Sequence, residues 1–242
     1  MKTALVFPPQ WYPSQPYLAL PTLKAYLESK GHEVDQFDFN VEGYDLFLSR
    51  NYLERCVEKI RSRLSKLDKS SEDREAEPIH RQIVEDTEYL ETVLSEIDDA
   101  KQALRDEERF FQFGEYKNAY TTLKIAMQLI SHAHYPSKID LDSFFMKGTP
   151  EENLNGILAA TQDSVRNPFF DIYESNLLSK VNWNNYGLVG ISIIHAGQVI
   201  PGLTLARILR NRYPHLHIVI GGSVFARHQD ILANKKILFE EM

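Results

Sequence analysis

The chain has 242 residues, 43% of them hydrophobic and 25% charged, and its 27 basic and 34 acidic side chains leave a formal net charge of −7. That balance belongs to a globular protein of one large or two small domains. It excludes a disordered or fibrous class and argues against a basic nucleic-acid footprint. The single cysteine, Cys56, excludes an intrachain disulfide, a zinc cluster or an iron–sulfur site built from the chain's own thiols. With no disulfide framework, a reducing cytoplasm is the expected location. No run approaches the roughly 18–20 apolar residues of a membrane span, and the short run before Pro8-Pro9 is too brief for a signal-peptide core. Neither a membrane nor a nucleic acid is expected as a partner.

Residues 1–48 read as strand, loop, helix, strand. Thr3–Phe7 is a buried-strand run stopped by Pro8-Pro9, because proline has no N–H for a ladder. Gln10–Pro16 is an aromatic and proline loop. Leu20–Ser29 then fits a helix with Leu20, Leu23 and Leu27 on one face, Pro21 in its first turn, and Gly31 where a left-handed C-cap belongs. Glu33–Phe39 alternates and reads as a second strand, parallel to the first across a βαβ crossover.

Residues 49–180 are helical and more charged. Leu53, Val57, Ile60, Leu64 and Leu67 form a seam of coiled-coil type. Asp68–Glu77 reads as a loop ending at Pro78. Ile83, Leu90, Ile97 and Leu104 recur every seven residues, so the two seams predict an antiparallel helical hairpin. A helix over Tyr116–Ser131 turns Tyr116, Tyr120, Leu123, Met127 and Ile130 inward. Thr149-Pro150-Glu151-Glu152 is a helix start running toward Asp163, and another helix covers Phe169–Lys180.

Residues 181–242 return to α/β texture. Leu188–Ile194 is dense enough for a central parallel strand. A helix from Val199 to Arg212, a strand over His217–Ile220 closed by Gly221-Gly222, and a weaker helix over Phe225–Ala233 follow. The fold class is therefore α/β, a flavodoxin-like (Rossmann-like) parallel sheet with a large helical insertion after its second strand. Residues 1–48 and 181–242 form the α/β domain, and its second part is expected to be truncated. In such sheets ligands bind at the carboxyl ends of the strands, where strand order reverses.

Three loops lie at those ends. Phe7–Tyr17 is either a rigid connector or, through Trp11, Tyr12 and Tyr17, a platform for a planar ligand. In Gly190–Gln198, Ser192 either bonds to backbone or turns its hydroxyl to the crevice, and His195 is either a hydrogen-bonded structural residue or a metal ligand. Gly221-Gly222-Ser223 is either a tight strand–helix turn or a place where a ligand approaches backbone. Asp38 and Asn40 either touch a ligand or cap the next segment. The chain has no GxxxxGK[ST] loop, no GxGxxG after the first strand, no HExxH and no GxSxG elbow.

Taken in order and spacing, these segments resemble the N-terminal cobalamin-binding domain of cobalamin-dependent radical S-adenosylmethionine enzymes. The resemblance rests on Pro8-Pro9 and the loop to Pro16, Leu20–Gly31-His32, Asp38-Phe39-Asn40 and Asn167-Pro168-Phe169. It rests most on Val189–Ser192 through Gln198–Pro201 and Ile220–Ser223. It implies a corrin ring over the carboxyl edge of the sheet and a nucleotide tail in the crevice. Pro9, Gln10, Trp11, Tyr12, Ser14 and Gln15 would face the corrin, and Ser192, Gly221 and Gly222 would line the tail. Asn40, His195, Gln198 and Ser223 complete the implied set. The DxHxxG motif of methyltransferase and mutase relatives, whose histidine ligates cobalt, is missing, so no histidine of the first loop is expected on cobalt. The family's CxxxCxxC motif, which carries a [4Fe–4S] cluster and S-adenosylmethionine, is missing too. The resemblance thus implies a fragment of a longer enzyme whose separate catalytic radical domain is its partner. The parent would perform methyl transfer or another radical reaction, while this chain alone binds rather than catalyses. The competing expectation is a non-catalytic scaffold whose helical hairpin docks another protein.

Overall fold

A computed structural model describes residues 1–67, 89–147 and 154–227. The chain divides into two compact units, Met1–Tyr44 with Leu141–Met242, and Asp45–Asp140. In chain order the elements are β1 (Thr3–Phe7), α1 (Ala19–Ser29), β2 (Val34–Asp38), α2 (Phe39–Phe47), α3 (Arg50–Leu67), α4 (Leu90–Ala103) and α5 (Phe113–Ala133). After these come β3 (Ser137–Ile139), β4 (Phe144–Met146), α6 (Leu154–Ala160), α7 (Phe169–Ile172), β5 (Leu188–Ser192), α8 (Val199–Arg212), β6 (His217–Gly221) and α9 (Ser223–Arg227).

The first unit is α/β. Its sheet has the order β2-β1-β5-β6, and every neighbouring pair is parallel. The register pairs Val6 with Phe37 and Ile191, and Ile191 with Ile220. Ala4, Val6, Val189 and Ile191 therefore share one face and are fully buried. Leu5, Gly190, Ser192, Val219 and Gly221 share the other. The order in which strands are added reverses between β1 and β5: β1–α1–β2 steps toward one edge and β5–α8–β6 toward the other. Right-handed crossovers then put α1 and α8 on opposite faces, with the switch point between β1 and β5. Leu20 of α1 accordingly packs with Leu5, Phe7 and Val34.

Aromatic packing closes the β2 side. Phe37 and Phe39 meet Trp183 at ring separations of 6.0 and 6.4 Å, and Phe39 meets Tyr173. The indole of Trp183 donates to the Leu178 carbonyl at 3.0 Å, and the Tyr173 hydroxyl to that of Pro201 at 3.0 Å. Asn167 ties the start of α7 to α8, donating to Thr204 Oγ1 at 2.9 Å while accepting from the Phe169 amide at 3.1 Å.

The second unit contains α3, α4, α5 and β3. Leu53, Val57 and Ile60 of α3, Val93 and Ile97 of α4, and Leu123 and Met127 of α5 are buried, and the three helices pack against one another. The hydroxyl of Tyr52 lies 3.3 Å from Nε2 of the buried His134. Arg109 is held by Asp99 and Glu115, both at 2.8 Å.

Several sequence expectations shift. The second strand stops at Asp38, because the Asp38 carboxylate accepts from the amides of Asn40 and Val41 at 3.1 and 3.0 Å and starts α2, a helix the sequence reading lacks. The helical zone expected over 49–180 gives way to a compact unit ending at Asp140. Residues beyond it join the α/β unit, where Phe144 packs edge-on against Phe169 at 5.0 Å. The helix from Phe169 widens at Tyr173–Leu177 into a π turn, closed by the Leu178 amide on the Tyr173 carbonyl. The strand from Leu188 ends at Ser192; the Ile193 amide still bonds to the Gly221 carbonyl, and Gln198 then captures the amides of Ile194 and His195. Tyr116 and Tyr120, expected inward, are 37% and 38% exposed. The last helix begins at Ser223. Its part beyond Arg227, the 68–77 loop, Ile83 and the helix start at Thr149-Pro150 lie outside the described residues.

Candidate functional site

The carboxyl ends of β1 and β5 carry the loops 8–18 and 193–198, and buried amides staple them together. Gln198 is fully buried. Its Nε2 donates to the Pro8 carbonyl at 2.8 Å, and its Oε1 accepts from the amides of Ile194 and His195 at 3.0 and 3.2 Å. Gln10 is buried with a φ of +79°, a conformation that costs a non-glycine residue energy and marks a constrained turn. Its Nε2 donates to the Tyr44 hydroxyl at 3.3 Å, while its buried Oε1 has no partner. Asn40 Oδ1 accepts from the Trp11 amide at 3.0 Å and so anchors the first loop. Burial pushes the Asp38 carboxyl above its ordinary range, against the two backbone amides that favour its charged form.

His195 caps the short turn Ala196–Gln198: Nδ1 accepts from the Gly197 amide at 3.3 Å. In the neutral ring this places the proton on Nε2, which leaves that nitrogen a donor rather than a lone pair for a metal. The ring lies edge-on to Trp11 at 5.9 Å. Among the described residues, no group of three or more His, Cys, Asp or Glu side chains is arranged to hold a metal ion, and no helix is long and apolar enough to cross a membrane.

On the α1 side of the sheet runs a groove of about 590 Å³, lined from Met1, Thr3 and His32 at the amino ends of the strands to Ser192 at the carboxyl end. Leu20, Leu23 and Leu27 of α1 form its wall, and Leu5, Gly190 and Val219 its floor. Its carboxyl end is lined by Ser192, Gly221 and Gly222. The two glycines differ. A Cβ on Gly222 would stand 2.1 Å from the Ile193 carbonyl oxygen, and its φ of +104° suits glycine alone, so Gly222 serves the turn. A Cβ on Gly221 would meet nothing within 4 Å and would project into open space at the groove mouth. Ser192 turns its hydroxyl to this end of the groove, where it shares a 3.1 Å hydrogen bond with the hydroxyl of Tyr17. Tyr17 stacks on Phe7 at 4.4 Å.

The residues predicted for one site thus separate into three groups. Ser192, Gly221 and Gly222 line the groove. Trp11, Tyr12, Ser14 and Gln15 lie on the loop above it; Trp11 is half-buried and the others are exposed, and the Trp11 indole donates to the Gln15 carbonyl at 3.1 Å. Pro9, Gln10, Asn40, His195, Gln198 and Ser223 belong to the framework; Ser223 Oγ donates to the Ile194 carbonyl at 3.0 Å. Sequence reasoning missed Leu5, Gly190 and Val219 as a floor. The signal was present: Gly190, Ser192 and Gly221 put small residues at alternate positions of adjacent strands, leaving one face of the sheet low.

A second, polar hollow of about 410 Å³ lies along β2. Asp35 pairs there with Lys2 at 2.7 Å and accepts from the Tyr186 hydroxyl at 2.5 Å. The Lys2 ammonium and this hydroxyl hold the Asp35 carboxyl below its ordinary range, and burial followed by the Asp35 charge pushes the Tyr186 phenol up to about 12.

Set against known protein families, curated proteins and solved structures, the chain gives no match.

Proposed function

We propose that the chain is a cobalamin-binding module: a flavodoxin-like domain, with Asp45–Asp140 as a helical insertion, of a cytoplasmic radical S-adenosylmethionine enzyme. The observation that carries this reading is the groove over β1, β5 and β6 of a parallel sheet, with Ser192, Gly221 and Gly222 lining it at the carboxyl ends of the strands, where such sheets bind ligands. A flat heterocyclic base on a nucleotide tail suits a slot between leucines and a floor lowered by glycine, with one hydroxyl to orient it. The empty Cβ position at Gly221 fits the same ligand, since nothing in the protein's own packing requires glycine there. Trp11 and Tyr12 lie where the corrin face would rest. Bound there, the cobalt would supply methyl transfer or radical chemistry in concert with a cluster and S-adenosylmethionine on the partner catalytic domain. The chain's own residues bind and orient the cofactor. The first loop offers no histidine, and the cap at His195 engages that ring.

Titration with hydroxocobalamin, followed by visible absorbance and thermal melting, tests the reading. Saturable spectral change and a rise in Tm are expected, because a ligand that binds the native state alone stabilises it. Gly221→Leu should weaken binding by at least about ten-fold while leaving the unliganded fold intact. A spectrum unaltered by excess corrinoid, with no change in Tm, refutes it.

One observation favours a second reading, a scaffold that docks another protein. On the second unit Phe111 and Phe113 are 83% and 79% exposed, and Phe110 meets Phe111 and Tyr116 at 5.3 and 5.5 Å. Contiguous exposed aromatics of this kind mark interaction surfaces. Replacing Phe111 and Phe113 by Ser should abolish such docking and leave corrinoid binding unchanged.

A further inference from the structure

We propose that Tyr17 is a latch that closes the carboxyl end of the groove and is displaced when a ligand takes its place on Ser192. The residue stands 175 positions from Ser192 in sequence, yet the two hydroxyls are 3.1 Å apart. Its ring lies nearly flat on Phe7, with an 18° angle between planes, so it bridges the ends of β1 and β5 above the groove. One polar and one stacking contact therefore hold the loop down at this point.

The rest of the loop is built to move about that contact. Its base is fixed: Gln10 is buried, the Trp11 amide is held by Asn40, and the Pro8 carbonyl is held by Gln198. Its tip, Ser14 to Pro16, is exposed, and its internal bonds are local, from the Trp11 indole to the Gln15 carbonyl and from the Gln15 amide to the Tyr12 carbonyl. This short strap is anchored before its tip at Gln10 and Trp11 and after it at Leu18, whose carbonyl accepts from Thr22 of α1, so the Tyr17 side chain is the part a ligand would release.

Ser192 is the hydroxyl that lines the groove's carboxyl end, and the closed strap already occupies it. A ligand edge that approaches Ser192 from the side now taken by the Tyr17 hydroxyl must displace that hydroxyl. In the cobalamin reading, on which this proposal rests for its ligand, that edge belongs to the nucleotide tail. Tyr17 then lowers affinity for corrinoids that insert a tail and leaves those without one unaffected, which makes it a specificity-determining residue.

Two variants and two readouts decide the matter in the full chain. Tyr17→Phe keeps the stacked ring and frees Ser192; Ser192→Ala breaks the same bond from the other side and removes the ligand's partner. Amide hydrogen exchange across Ser14 to Leu18 should quicken about five-fold in both unliganded variants, the usual worth of one neutral hydrogen bond. Hydroxocobalamin should bind Tyr17→Phe about five-fold more tightly than the parent chain, with no gain for Ser192→Ala, while cobinamide, which lacks the tail, binds parent and Tyr17→Phe alike. Unchanged exchange in both variants overturns the latch whether or not any corrinoid binds. Quickened exchange in a chain that binds no corrinoid supports the latch and refutes the cobalamin reading. Equal gains for cobalamin and cobinamide in Tyr17→Phe overturn the claim of tail selectivity.

Discussion

The two faces of the parallel sheet are built from the same four strands and have opposite fates. On the α8 side, Ala4, Val6, Val189 and Ile191 are sealed. On the α1 side, Val219 remains 42% exposed, and the floor of β5 carries glycine and serine in place of large side chains. Parallel sheets normally have both faces covered, because backbone and side chains alike are buried by the crossover helices. Here the crossovers go to opposite faces and, among the described residues, α1 covers only the β1–β2 half of its own. Among those residues one face is sealed and the other carries the groove.

Mutations on the sealed side should have the largest effect on folding. Trp183→Ala removes a fully buried indole from the Phe37, Phe39 and Tyr213 cluster and deprives the Leu178 carbonyl of its donor, so a loss of about 3–5 kcal/mol is expected in urea unfolding. A loss under about 1 kcal/mol would show that this face is not the seat of stability. Gly222→Ala comes next, since the new Cβ would strike the Ile193 carbonyl at a positive φ; about 1–3 kcal/mol should be lost at a position adjoining the groove. On the open face, Val219→Ser should cost less than about 0.5 kcal/mol, because a side chain already nearly half in water forfeits little burial. A larger cost would mean that something covers this face in solution.

The smallest expected effects are electrostatic and lie at the β2 edge. The Asp35 carboxyl is lowered in the folded chain, so its contribution is present above the ordinary carboxylate range and is lost as pH falls below it. The Tyr186 phenol is raised to about 12, so its contribution is complete below its ordinary value near 10 and is lost as pH climbs from there to about 12. Urea midpoints measured against pH should show a shallower acid limb in Asp35→Asn and a shallower alkaline limb in Tyr186→Phe. Identical limbs in variant and parent would remove this triad from the account of stability.

Much of the α/β unit was legible because its signals are local. Thr3–Phe7 and Val199–Arg212 fall within the expected bounds, and Gly31 adopts the positive φ of +82° expected of a C-cap. The misses have physical causes. The strand expected to run to Phe39 stops at Asp38, whose carboxylate caps the following amides, and the π turn at Tyr173 depends on packing that periodicity does not record. Tyr116 and Tyr120 followed the helical spacing of core residues, yet they stack on one another at 6.0 Å near the surface, because spacing fixes a face without saying what covers it.

The site shows the same division. Ser192 and the glycine pair were readable as residues at the carboxyl ends of parallel strands, since alternation and strand ends are written in neighbouring residues. The α/β class and the four parallel strands were likewise legible in the sequence. Only the tertiary structure decided that Gln198 staples Pro8 across 190 positions, that Gly222 serves the turn while Gly221 faces open space, and that Tyr17 closes on Ser192. Those facts depend on which distant residues share a strand end and on which face a crossover leaves open. Chain direction and packing set both, and no window of neighbouring residues contains them.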